Sequence, residues 1–463
     1  MQILRDRLGA DRVVTGPGDL EPWLSDWRGI YRGRALALIE PRSTAEVAAA
    51  VRIAGETGTP LVPQGGNTSM VGGATPDGSG NAMILSLRKL NAMRSIDRDA
   101  GLAVVEAGVI LEHLHQAAEA EGLRFPLTLG ARGSATIGGL VSTNAGGTQV
   151  LRFGTMRGLV AGLEAVLPDG QIYDGLAALK KDNRGYDLTQ LLIAAEGTLG
   201  IVTAATLRLV PAVTDSASAW LGVASPHVAL DLLRAMEQAS GSAIESFEIV
   251  PAHDLELVLE HIPGTRRPIE TRSAWNVLID FVGEDATARL IALLEPLADR
   301  FDDAAVAANN AQAAAFWRIR DSISEAERAA GPTLAHDISV AVEAMPGFIE
   351  SAGAAVEARF PGVTVSAFGH LGDGNVHFHV NAPSGADASA WRADPGKAIS
   401  AHVYDLVTQA GGSISAEHGI GQMKLDALAR TGGPARLAAL RAVKQGLDPR
   451  NLFNPGKLIP PLA

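Results

Sequence analysis

The chain has 463 residues, enough for at least two domains, and its 47% hydrophobic and 19% charged residues are the balance of an ordinary globular enzyme. Lys and Arg number 39 against 51 Asp and Glu, a formal charge of −12 with no basic run, which argues against nucleic acid or anionic lipid as a partner. With no cysteine, the chain holds no disulfide, no iron–sulfur cluster of its own and no group attached through sulfur.

The first residues, MQILRDRLGADR, mix charges and lack the apolar core of a secretion signal, and no apolar run approaches the length of a membrane span. A cytoplasmic soluble protein is expected, with peripheral docking at a membrane left open. Residues 3–27 are weakly helical and end in Asp26-Trp27-Arg28-Gly29. A strand over 35–40 leads to Ser43, which caps a helix running to about 56, with Glu46 three residues later as in a capping box.

A further strand then opens onto LVPQGGNTSMVGG, residues 61–73. Gly65, Gly66, Gly72 and Gly73 let the backbone approach a ligand, and Pro63, Asn67, Thr68, Ser69 and Met70 complete the loop. Successive inward N–H groups in such a loop make a nest for a pyrophosphate. It has neither the Lys-Ser/Thr ending of a nucleoside-triphosphate loop nor the spacing of a Rossmann turn. Strands over 82–87 and 103–106 and a helix near 111–121 precede a second small-residue stretch. It contains Ser134, Thr136, Gly138 and Gly139, then Asn144, Gly146 and Gly147, and suits either close backbone approach to a ligand or helix packing through small residues. Residues 163–173 read as a hairpin turning at Pro168-Asp169-Gly170. Glu196-Gly197-Thr198-Leu199-Gly200-Ile201-Val202 follows, and then a strand ending at Pro211.

From residue 216 the texture changes to Ala- and Leu-rich helices between strands. Arg320 and Ser324 fall one turn apart on a predicted helix, where a guanidinium and a hydroxyl can grip one carboxylate. Residues 369–381, GHLGDGNVHFHVN, form a turn between two strands, so that His370 faces His377 across a hairpin and His379 shares the face of His377. Glu417-His418-Gly419 adds a carboxylate and a further imidazole. Two His and a carboxylate would leave positions open on a zinc-like ion, as catalytic sites do, where it can act as a Lewis acid.

Together these segments resemble the vanillyl-alcohol oxidase superfamily of flavoproteins, in the branch of D-2-hydroxyglutarate dehydrogenase, D-lactate dehydrogenase and the glycolate oxidase flavin subunit. The resemblance covers nearly the whole chain. It implies an α+β fold: a two-subdomain FAD-binding domain over 1–213, a substrate-binding cap over 214–425 with an antiparallel sheet carrying helices on one face, and a segment 426–463 returning to the FAD domain. The phosphate loop, the 134–147 stretch, Glu196, Gly200, Ile201 and Asn454 in the Asn-Pro-Gly-Lys ending are implied as cofactor-binding. FAD is expected to be non-covalent, since residues 64–80 hold none of His, Cys or Tyr.

The resemblance also implies that His370, His377 and Glu417 bind Zn2+ or a similar divalent metal, that His418 is the general base, and that Arg320, Ser324 and His379 meet the substrate. The expected reaction is oxidation of D-2-hydroxyglutarate to 2-oxoglutarate by hydride transfer to flavin N5. D-lactate or glycolate oxidation is the alternative, and a metal-dependent hydrolase or a non-catalytic flavin carrier a remote one. An electron-transfer flavoprotein or quinone-linked acceptor, and a homodimer, are expected. The chain departs from the family's pattern at Ala335, where Lys is usual, and at His379, where Asn is usual; both positions belong to the distal end of the substrate.

Overall fold

The computed structural model describes residues 1–460. Two compact units divide the chain. The first takes in residues 1–147, 153–212 and everything from 417 on, and the second residues 148–152 and 213–416. The second division thus falls at Glu417, ahead of the expected 425, because the turn after Glu417 is hydrogen-bonded to the phosphate loop.

The first unit has two main sheets, matching a two-subdomain flavin fold. In one, the strands run in the order Val13–Val14, Ala37–Ile39, Met83–Ser86 and Leu61–Gln64, the last three parallel. Helix Thr44–Thr57 connects two of them, burying Val47, Ala50, Val51, Ile53 and Ala54. Ser43 caps it by accepting from Glu46 N at 3.2 Å, but the Glu46 carboxylate accepts from Arg42 N at 2.7 Å, one residue earlier than a capping box requires. The other sheet is antiparallel, in the order Met93–Asp97, Leu102–Glu106, Ile201–Arg208, Val160–Val166 and Ile172–Gly175. Its last pair is the hairpin read around Pro168-Asp169-Gly170.

The C-terminal segment completes this unit. Leu452 and Phe453 are buried in its core, and Leu61 exchanges backbone bonds of 2.8 Å with Leu452 O and Asn454 N. Lys444 Nζ fixes the return by donating to Thr198 O and Phe453 O, each at 2.9 Å, and to Asp448 at 2.6 Å.

The second unit is a seven-stranded antiparallel sheet in the order Asp303–Val306, Ser216–Val223, Trp275–Val282, Ile244–Pro251, Thr364–His370, Asn375–Asn381, Thr333–Ser339. Helices cover both faces, not one. Ala219, Leu221, Val277 and Ile279 join a core with helices Pro226–Ser240, Ala286–Leu294, Met345–Arg359 and Pro395–Gln409. Their neighbours Trp220 and Leu278 point the other way, into a core with helices Ala252–His261, Asn310–Asp321 and Ile323–Ala330. The helix expected to carry both Arg320 and Ser324 also breaks, one segment ending at Asp321 and the next beginning at Ile323.

Candidate active site

In the first unit the two small-residue segments meet. A Cβ on Gly66 would stand 2.0 Å from Ser134 O, and one on Gly65 2.2 Å from Thr136 Oγ1, so at these two positions the approach admits hydrogen only. Ser69 Oγ folds the loop on itself by accepting from Val71 N at 3.3 Å and Gly73 N at 3.0 Å. Asn67, at φ +57, donates to Ser25 O at 2.9 Å. Arg88, missed in the sequence, takes the carbonyls of Gly65 and Gly66 at 2.8 and 3.2 Å.

Thr136 precedes helix Ile137–Thr143, which contains Gly138 and Gly139 and ends on Asn144 at φ +52. Gly146 and Gly147 follow it, both buried. Thr68 and Met70 are half-buried on the loop. Pro63 lies in the strand before it, against Gly197. Gly200 is buried against Leu192, and Ile201, pairing with Val166, packs its side chain in the core.

Glu196 is buried, its carboxylate accepting from Ile420 N and Gly421 N, both at 2.7 Å. Burial raises its carboxyl above the usual range, with those two N–H groups, Lys424 and Lys457 opposing. Asn454 Nδ2 donates to Gly73 O at 2.9 Å and to Glu196 O at 2.8 Å. The cradle fits a dinucleotide with both donors and acceptors to offer, because Gln64 Oε1, Asn67 Oδ1, Thr75 Oγ1, Thr136 Oγ1 and Asn454 Oδ1 are all buried without a hydrogen-bond partner.

In the second unit, strands Thr364–His370 and Asn375–Asn381 form the expected hairpin, with His370 opposite Asn375 and His377 opposite Phe368. The rings of His370 and His377 are 5.4 Å apart and those of His377 and His379 6.5 Å, so the three imidazoles do share a face. Glu248, on strand Ile244–Pro251, was not foreseen. It accepts from Arg320 Nε at 2.8 Å and meets His370 Nδ1 at 2.5 Å. Burial alone would raise the Glu248 carboxyl, but Arg320 and His370 outweigh it and hold the group far below the carboxylate range.

Burial, reinforced by the charges of Arg320 and His370, keeps His377 neutral well below its ordinary range. A neutral buried imidazole beside one whose other nitrogen is tied to a carboxylate is a donor set that suits a divalent metal. Arg320 lies 5.6 Å above the Phe368 ring, with one edge committed to Glu248. Ser324 is half-buried beyond the helix break. His379 Nδ1 meets Glu327 at 2.5 Å, and both side chains are buried. Glu417 and His418 lie in the first unit, on the segment leading into the Ile420–Gly421 turn.

A glycine-rich loop locked against a second small-residue segment, in a unit of one mainly parallel and one antiparallel sheet, is an arrangement that a flavin-binding fold provides. The family models that match are the FAD binding domain over residues 35–175 and the FAD linked oxidases, C-terminal domain, over residues 213–458. The chain is 35% identical to the mitochondrial D-2-hydroxyglutarate dehydrogenase of Arabidopsis thaliana, over 99% of this chain and 81% of that protein. It is 36% identical to the D-2-hydroxyglutarate dehydrogenase of Xanthomonas citri pv. viticola, over 98% and 96%. A putative mitochondrial D-lactate dehydrogenase of Schizosaccharomyces pombe is 31% identical over 99% and 90%.

Among solved structures, an alkyldihydroxyacetonephosphate synthase superposes with a TM-score of 0.75 at 15% identity, over 98% of this chain and 84% of that one. p-Cresol methylhydroxylase does so with 0.73 at 16%, over 99% and 96%. The chain belongs to the FAD-linked oxidases of the vanillyl-alcohol oxidase type, among the homologues of D-2-hydroxyglutarate dehydrogenase, and is an FAD-dependent dehydrogenase.

Proposed function

We propose that the protein oxidises a D-2-hydroxy acid to the 2-oxo acid, with D-2-hydroxyglutarate as the leading substrate. The observation that carries this reading is the cluster of Arg320, Glu248, His370 and His377 in a chain whose relatives are named for that substrate. Bound FAD supplies the hydride acceptor at N5. A divalent metal such as Zn2+, held by His370, His377 and Glu417, supplies a Lewis acid for the hydroxy-carboxylate end.

Arg320 binds the substrate carboxylate, with Ser324 beside it, and Glu248 fixes the guanidinium and the His370 ring in place. His418 accepts the hydroxyl proton as general base. His379 meets the distal end of the substrate. A D-lactate specificity is the second reading, favoured by the small Ala335 directly opposite His379 in the sheet and by the Schizosaccharomyces relative. Electrons leave to an electron-transfer flavoprotein or a quinone-linked protein from a cytoplasmic homodimer. Among the described residues no helix is long and apolar enough to cross a membrane.

The expected purified protein is yellow, releases its flavin on acid precipitation and reduces it with D-2-hydroxyglutarate faster than with D-lactate. Chelation abolishes the reduction and Zn2+ restores it. A protein that cannot be reconstituted with FAD would sink the reading, faster reduction by D-lactate would transfer it to the second, and rapid reoxidation by air in stopped flow would make it an oxidase.

A further inference from the structure

The turn that follows Glu417 and His418 is built onto the flavin cradle. Gln422 N and Met423 N donate to Val71 O at 3.1 and 3.3 Å, and Gln422 Nε2 donates to Gly72 O at 2.9 Å. Gly421, at φ +51, passes so close that a Cβ there would stand 2.3 Å from Val71 O. Into this joint Glu196 sends its carboxylate, one oxygen to each of the consecutive amides of Ile420 and Gly421.

Glu196 itself is held at φ +48, a region that costs a residue with a side chain roughly 1 kcal/mol or more. Its N–H donates to Ser142 O at 2.8 Å, in the helix of the second small-residue segment, and its carbonyl accepts from Asn454, which also holds Gly73. One residue therefore joins both cofactor segments to the Glu417–Gly421 turn.

We propose that Glu196 is a positioning residue that keeps this turn in register with the flavin cradle. The proposal rests on the reading of His418 as base. A carboxylate fork matches two adjacent N–H groups. Glutamine offers one acceptor and turns its NH2 against the other amide, and aspartate is a methylene short.

The test compares wild type with Glu196→Gln, Glu196→Asp and His418→Ala in the full chain. It reads flavin content, FAD affinity, kcat, KM and the hydrogen exchange of the peptide spanning 417–424, the last in apoprotein as well as holoenzyme. Glu196→Gln is expected to keep its FAD, to lose protection in that peptide alone, and to lower kcat by roughly 10- to 100-fold, as loss of an orienting partner does, with KM little changed. Glu196→Asp should fall in between. Unchanged exchange, or a loss of activity that excess FAD makes good, overturns the proposal in favour of a direct cofactor contact. If protection is lost in Glu196→Gln while His418→Ala turns over normally, the base assignment fails and Glu196 still holds the turn. Should Glu196→Gln not fold, Gln422→Ala, cut from the same joint, must loosen the same peptide and lower kcat with FAD retained, and failure to do so overturns the proposal as well.

Discussion

His379 is the side chain on which substrate choice turns. Glu327 holds its Nδ1, and the other Glu327 oxygen accepts from Asn381 at 3.4 Å. Burial and the neighbouring Glu327 charge raise the Asp254 carboxyl well above its usual range, so the Glu327 that holds His379 lies near a second buried acid. If its imidazole meets a distal carboxylate, His379→Ala lowers kcat/KM for D-2-hydroxyglutarate by about 2 kcal/mol and leaves D-lactate almost untouched. Removing the imidazole also leaves Glu327 buried near Asp254 with only the long bond from Asn381, at a stability cost of roughly 3 kcal/mol. Adding Glu327→Gln should return the lost Tm without returning kcat/KM. His377→Ala should instead abolish turnover of both acids together with bound metal, and metal content measured beside two-substrate kinetics separates the roles. Loss of both substrates and metal in His379→Ala would make His379 a ligand, and equal losses with metal retained would refute both assignments. Of these residues His370, His377 and His379 were legible because a period of two fixes their shared face. Glu248 was not, since it reaches His370 from 122 residues away in the sequence.

At the scale of elements, the cradle depends on the backbone of one loop touching the backbone of another. Gly66→Ala places a Cβ where Ser134 O already stands, so the two segments must separate. The variant is expected to fold, because residue 66 lies in the loop after strand Leu61–Gln64 and outside the buried core, but to purify colourless with FAD affinity reduced by roughly 100-fold or more, a loss of about 3 kcal/mol. Flavin fluorescence titration with circular dichroism as a folding control checks this, and wild-type affinity would show that the contact is dispensable. Local chemistry made such elements readable: the glycine pairs, the Ser43 cap and the hairpin turn at Gly372–Asn375 each declare themselves within a few residues. The helix break at Ser322 did not, because Phe316, Ile319, Ile323 and Ala326 continue an apolar stripe straight through it. Nor did the helical layer on the second sheet face, which depends on strands paired across the whole second unit.

For the molecule as a whole, length was enough to anticipate at least two units, but not the balance of buried charge that sets stability against pH. Asp280 accepts from Trp317 Nε1 at 2.8 Å and so anchors the helix bearing Arg320, yet burial pushes its carboxyl up to about 6, despite the bonds from Ser218 and Trp317. A carboxyl whose folded pKa lies above its unfolded value binds more protons when folded. Its cost is therefore absent at pH values below the unfolded pKa of about 4, grows as pH rises to about 6, and is complete above that, at no more than about 3 kcal/mol. His377 and His115, both depressed chiefly by burial, act in the opposite sense, losing stability as pH falls through the ordinary imidazole range. A pH series on wild type alone would mix the two. Asp280→Asn isolates the carboxyl, since its amide oxygen can still accept from Trp317 while carrying no charge. The variant should melt higher than wild type at pH 7.5, with the gap closing steadily as pH falls toward 4.5. A gap that stays constant with pH would mean that Asp280 titrates as an ordinary carboxyl and that the anchor of the Arg320 helix is charged at no cost.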